Sequence, residues 1–214
     1  MRKMPDLPEL TLRELSTLRG LSSPARIQDF VNELAINHEK REETCRSPRG
    51  VLENGKAHCL EGAALAAAAL WLHGEPPVLM ELSAAPKDQH HAVALFKRNG
   101  YWGAISKSNH ASLRFRDPIY RTVRELAISY FHEYFLNDSG KKTLRGYTRP
   151  FSLARFGTGW VTSENGLWDI AYALRDAAHL PIVPEENMRY LRPADPLERK
   201  AGRLIDWPKS DPRT

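Results

Sequence analysis

The chain has 214 residues and a formal charge of +5, from 31 Lys and Arg against 26 Asp and Glu. Hydrophobic residues make up 42%, enough for a core, which excludes wholesale disorder. The charges are mixed along the chain, with no Lys/Arg run backed by stacking aromatics, so composition gives no basis for a nucleic-acid partner.

The N-terminal "MRKMPDLPELTLREL" lacks the apolar segment of a signal peptide, and no run of about 18 apolar residues follows it. The expectation is a cytoplasmic protein with no membrane partner. Two cysteines, Cys45 and Cys59, are too few for a disulfide framework and are expected as free thiols. Oligomeric state is not legible.

Residues 6–20 predict a short helix. "LSSPARIQDFVNELAINHE" predicts an amphipathic helix capped by Ser23 and started by Pro24, with Ile27, Phe30, Val31 and Leu34 on one face. "RSPRGVLENG" repeats the Ser-Pro start and stops at Gly55. "KAHCLEGAALAAAALWLHG" predicts an alanine-rich helix over roughly 58–73, with Cys59 at its mouth. "PVLMELSA" and "HHAVALFKRNG" then have strand composition. Asn99-Gly100 is a hairpin turn, so 92–97 and 101–106 should pair antiparallel. "DPIYRTVRELAISYFHEYF" reads as a helix with Val123, Leu126, Ala127, Tyr130, Phe131 and Tyr134 on one face. Residues 137–166 read as loop-rich, "NGLWDIAYALRDA" as a helix, and the segment from about 185 as a polar tail. Helices, then consecutive strands, then helices give an α+β fold with a small antiparallel sheet. The domain is expected over 1–184, followed by the tail over 185–214.

A thiol attacks as the thiolate. A free cysteine titrates near about 8.5, and a helix N-terminus or a neighbouring imidazolium lowers that value. Cys59 has the first resource. Among eight histidines, His91 is placed to supply the second, because it opens a strand directly after the polar "PKDQ" loop. His90 is the alternative, but adjacent strand residues point to opposite faces, so one of the two meets Cys59. A third group must orient the imidazole through its other nitrogen; Ser106 and Asn109 are the nearest polar candidates.

"AHCLEGAALAAAAL", "HHAVALF" and "NGYWGAISKSN", in that order, resemble the transglutaminase-like superfamily of papain-related folds. The resemblance covers about residues 45–110. It implies acyl chemistry through a cysteinyl thioester, with Cys59 as nucleophile and His91 as base and acid. The orienting Asp of the family falls at Ser106, and Asn109 stands where an asparagine of the papain-like kind would serve. Ala57 replaces the glycine often found two residues before the cysteine. The implied partner is a protein, peptide or other amide substrate, with no cofactor and no metal.

The other residues have simpler readings. Cys45 is read as structural, His58 as a loop or rim residue, and Glu61 as an acid favoured by the helix dipole. Trp102 and Tyr101 are read as core and rim. Zinc on Cys59, His90 and His91 is disfavoured because adjacent strand histidines diverge. Two further readings stay open: a binding or scaffolding module that keeps the fold without catalysis, and a partner-binding surface on the basic segment 189–209.

Overall fold

The computed structural model of the protein describes residue 7, residues 10–39 and residues 43–206. Residues 6, 8 and 9 of the expected first helix, and residues 207–209 of the basic segment, lie outside the described residues. Helix α1 (Leu12–Gly20) starts on Thr11, whose hydroxyl accepts from Glu14 N–H while the Glu14 carboxylate accepts from Thr11 N–H. Helix α2 (Pro24–Glu33) starts on Ser23 and Pro24. Strand β1 (Ala35–Ile36) follows, then α3 (Pro48–Asn54), which starts on Ser47 and ends at Gly55 in the left-handed conformation. Each hydroxyl cap of this kind contributes about 1 kcal/mol. Strand β2 (Lys56–Ala57) pairs in parallel with β1 and delivers the chain into α4 (Cys59–Leu72).

Among the described residues the main sheet has seven strands, and every pairing in it is antiparallel. They are β3 (Val78–Ala84), β4 (His91–Arg98), β5 (Tyr101–Ile105), β6 (Arg116–Tyr120), β7 (Leu144–Thr148), β8 (Phe151–Ser152) and β9 (His179–Pro181). The order is β6-β5-β4-β3-β7-β9, with β8 beside the start of β3. The β4–β5 hairpin turns on Asn99 and Gly100 at φ 51° and 87°, both positive as a type I′ turn demands. The molecule is therefore α+β.

Helix α4 is apolar all round, and Glu61 to Leu70 are all buried. It packs on β3 and β4 while α1, α2 and α3 cover its other sides. Its alanines keep the helix close to the sheet. The far sheet face carries Met80, Leu82, Val93 and Leu95, covered by Leu126 and Ala127 of α5 (Val123–Ile128) and by Tyr130 and Tyr134 beyond it.

Two expectations need correction. The segment 117–135 is not one helix: its start is edge strand β6, and α5 begins only at Val123. Pro118 in β6 is compatible with an edge, where a missing N–H leaves no central ladder broken. The loop-rich reading of 137–166 conceals β7, an inner strand beside β3. Leu144, Gly146, Tyr147 and Thr148 are all buried, so the strand lacks the alternation that marks a one-sided sheet. Helix α6 (Trp168–Arg175) forms where expected. Within 185–206, α7 (Pro196–Gly202) is capped by Asp195, and Arg199 Nε donates to Asn137 O at 2.9 Å. Asp206 N–H donates to Asn109 O at 2.8 Å, so this polar segment lies against the loop after β5.

Buried Lys107 ties α2 to the sheet: its amine donates to Val31 O at 2.9 Å and to Leu34 O, at the end of α2. Burial, with Arg114 adding to it, pulls this amine down to about 8. The lysine stem crosses α4 at Gly62, where a Cβ would stand 2.5 Å from Lys107 Cβ. Gly62→Ala is therefore expected to destabilise the fold by about 1–3 kcal/mol, despite alanine's better helix propensity. A urea melt checks this; equal or greater stability in the variant would show that Lys107 shifts freely. Among the described residues no helix is long and apolar enough to cross a membrane.

Candidate active site

Cys59 is the first residue of α4 and is half-buried, with its backbone N–H among the helix donors that have no intrahelical partner. His91 is the first residue of β4 and is buried. Ser106, buried just past β5, brings its Oγ to 2.7 Å from His91 Nε2. The Ser106 hydroxyl has a second neighbour, Leu113 O, at 2.6 Å. A carbonyl can only accept, so Ser106 donates to Leu113 and accepts from His91 Nε2–H. That assignment protonates Nε2 and leaves Nδ1 as the ring nitrogen available to the thiol.

The position of Ser106 is itself locked. Gln28, from α2, accepts from Ser106 N–H at 2.9 Å through Oε1 and donates to Ser106 O at 2.9 Å through Nε2. Asn109 lines the same cleft, but no hydrogen bond joins it to His91. Of the two orienting candidates, Ser106 reaches the imidazole. His90 diverges from His91 as strand alternation requires, with Nδ1 3.6 Å from Glu81 Oε2.

His58 is more than a rim residue. It is the N-cap of α4: Leu60 N–H faces Nδ1 at 3.2 Å, and Nε2 lies 2.9 Å from Thr44 O. The neutral ring satisfies both contacts, with Nε2–H donating to Thr44. Protonation makes the ring a donor to the Cys59 sulfur as well. Burial opposes that protonation, but Cys59 and the buried Glu61 carboxylate outweigh it and raise His58 to about 9. Burial likewise opposes ionisation of Cys59, and the two imidazoles of His58 and His91 outweigh it, holding the thiol well below the range of a free cysteine. Cys45 is the contrast. It is buried, and burial, with the Glu61 and Glu39 charges adding to it, pushes its thiol up to about 12.

Glu61 organises the mouth of the helix. Its side chain is 0% exposed and accepts from His58 N–H, Arg46 N–H, the Thr44 hydroxyl and Asn37 Nδ2 at 2.8–3.1 Å. Arg46 Nη1 adds an ion pair at 3.3 Å. One carboxylate thus holds residues 37, 44 and 46 against the helix start that presents Cys59. The dipole preference read from sequence is a small part of this role. The sequence signal for both residues is the capping-box spacing in "HCLE", where His58 takes the place usually held by Ser or Thr.

The cleft over Cys59 has a volume of about 430 Å³. Glu39, Asp88, His110 and Glu133 stand in its wall, so the lining is largely polar. Comparison of the sequence with protein-family models and with curated proteins finds no match to either.

Proposed function

We propose that the protein is a thiol-dependent amide or peptide hydrolase, deamidase or acyltransferase, built on a transglutaminase-like, papain-related domain over 1–184 and acting in the reducing cytoplasm. The observation that carries this reading is the chain of hydrogen bonds from His91 Nε2–H to Ser106 Oγ and on to Leu113 O. It orients a histidine beside a cysteine at a helix N-terminus. That arrangement is the three-part logic of an activated nucleophile.

The chemistry follows from the placement. His91 takes the Cys59 proton through Nδ1, and the thiolate attacks an amide carbonyl. The tetrahedral oxyanion meets Cys59 N–H at the positive end of α4. His91 then gives its proton to the departing nitrogen, leaving a thioester and a free amine or ammonia. Water, deprotonated by His91, attacks the thioester and regenerates the thiol with release of a carboxylic acid. An amine in place of water gives a new amide. Hydrolysis is the favoured outcome, since no sequence feature marks a subsite for an amine donor.

Ser106 carries no charge to stabilise an imidazolium. His58 makes up part of that deficit from the other side of the ion pair, by stabilising the thiolate. His58→Asn keeps a good helix cap and is expected to move the Cys59 titration midpoint upward. An unchanged midpoint by thiol alkylation would assign His58 to capping alone.

The function is tested by incubating the protein with Gln- and Asn-containing peptides, with and without an added primary amine, and reading products by mass spectrometry. Cleavage, deamidation or amine incorporation that vanishes in Cys59→Ser supports the reading. A Cys59 that never forms a thioester, with no product from any peptide, would favour the scaffold alternative, for which the uncharged Ser106 is the motivating feature.

A further inference from the structure

Outside the thiol site, Glu81, His90 and His179 bring one ligand atom each to within 4.8 Å of one another. They come from three separate strand segments: Glu81 lies in β3, His90 immediately precedes β4, and His179 opens β9. Both imidazoles converge on a single carboxylate oxygen, with His179 Nε2 at 2.9 Å and His90 Nδ1 at 3.6 Å from Glu81 Oε2. A hydrogen bond explains the shorter contact. The second ring stands edge-on to the first, with its Nδ1 turned on the same oxygen from beyond hydrogen-bond range.

We propose that Glu81, His90 and His179 form a zinc-binding site. Two imidazoles and a carboxylate are a donor set that zinc takes with a fourth position left for water. Zinc–ligand lengths of about 2.0–2.2 Å set neighbouring donors about 3.3–3.6 Å apart in a tetrahedron. The two separations from Glu81, 2.9 and 3.6 Å, bracket that range, and all three donor atoms lie within 4.8 Å of one another, so movements of the two rings bring the set onto one ion. Imidazole donors favour zinc over magnesium or calcium, which prefer all-oxygen shells. The protein around the triad is set for the task. Glu81 N–H is held by Thr148 Oγ1 at 3.0 Å, and Thr148 is the register partner of His179. His90 is 44% exposed, which gives an ion a route in and a solvent-facing fourth position. His90 also lines the cleft and directly precedes His91, so a bound ion fixes the strand start that carries the proposed base. The site itself does not depend on the catalytic reading, because Cys59 takes no part in it.

The test uses the full chain without a histidine tag. Zinc binding is measured by calorimetry, and cobalt is used as a spectroscopic probe. The wild type is expected to bind one zinc ion and to melt at higher temperature in its presence. Glu81→Gln, His90→Ala and His179→Ala should each weaken binding by at least the roughly 10–100-fold that even an outer-shell partner costs. Cobalt should give tetrahedral visible bands with no sulfur-to-metal charge transfer, unchanged in Cys59→Ser. His90 is exposed, so His90→Ala keeps the test valid if His179→Ala fails to fold. Failure of the wild type to bind zinc overturns the proposal. So does zinc binding that survives His90→Ala but is lost in Cys59→Ser.

Discussion

Alanine at Cys59 or at His91 is expected to abolish acyl transfer, with losses of roughly 10⁴- to 10⁶-fold for a nucleophile or base that acts as one unit with its partner. Cys59→Ala removes the only atom that forms the thioester. His91→Ala leaves a thiol with no base and a leaving nitrogen with no acid. The double variant should be no worse than either single one, because each already stops the same step. Ser106→Ala acts through His91 and should cost less, about 10²-fold, the scale set by a misplaced reacting group. Its signature is a fall in kcat with little change in KM, since Ser106 orients the ring and does not line the cleft. Kinetics on a peptide that the wild type turns over check all four variants. Additive losses for Cys59 and His91 would show that the two residues do not share a step.

The largest stability effect is expected at Glu61. Glu61→Ala strips the buried hub from four hydrogen-bond donors and one arginine, at about 3–5 kcal/mol, the range for breaking a buried charge pair. A domain has about 5–15 kcal/mol in total. In a chain of this size the melting temperature should fall by roughly 10 °C. The charge leaves its own mark on the pH dependence. Burial opposes the Glu61 carboxylate, but His58 and the donors from Arg46 and Thr44 outweigh it and hold its pKa below the ordinary 4.5. The folded value is thus the lower one. The stabilisation is present above the unfolded value and is lost as pH falls through the folded one. The gap between wild type and Glu61→Gln should be wide at pH 7, start to narrow near the ordinary 4.5 and close only once pH has fallen through the lower folded value. A gap that ignores pH would mean that the carboxylate acts by shape alone.

The parts of this fold that were legible in sequence are those set by local chemistry. Ser23-Pro24 and Ser47-Pro48 start helices because a hydroxyl cap and a fixed φ suit a first turn. Asn99-Gly100 makes the hairpin because both residues tolerate positive φ. What escaped depends on tertiary partners. Strand β7 is hidden because burial on both faces removes its alternation, and β6 because Pro118 and the aromatic spacing beyond it read as helix. Cys59, His91 and Ser106 were within reach since they lie in one helix start and one hairpin. The choice between Ser106 and Asn109 rests on where the chain turns after β5, which Leu113 and Gln28 decide from outside the motif. Gln28 is 78 residues from Ser106, and no local pattern connects them. The role of His58 is not legible locally because a histidine N-cap is unusual, and its neighbours Thr44 and Glu61 arrive only with the fold.

The rate of iodoacetamide alkylation at Cys59 as a function of pH, followed by mass spectrometry in wild type and in His91→Ala, tests the central claim most directly. Cys45 supplies an internal control in the same molecule, since burial raises its thiol to about 12. The expected result is fast labelling of Cys59 at neutral pH, with a midpoint well below the roughly 8.5 of a free thiol, and loss of that reactivity in His91→Ala. Slow labelling at Cys59 that is indifferent to His91 would contradict a working thiolate–imidazole pair.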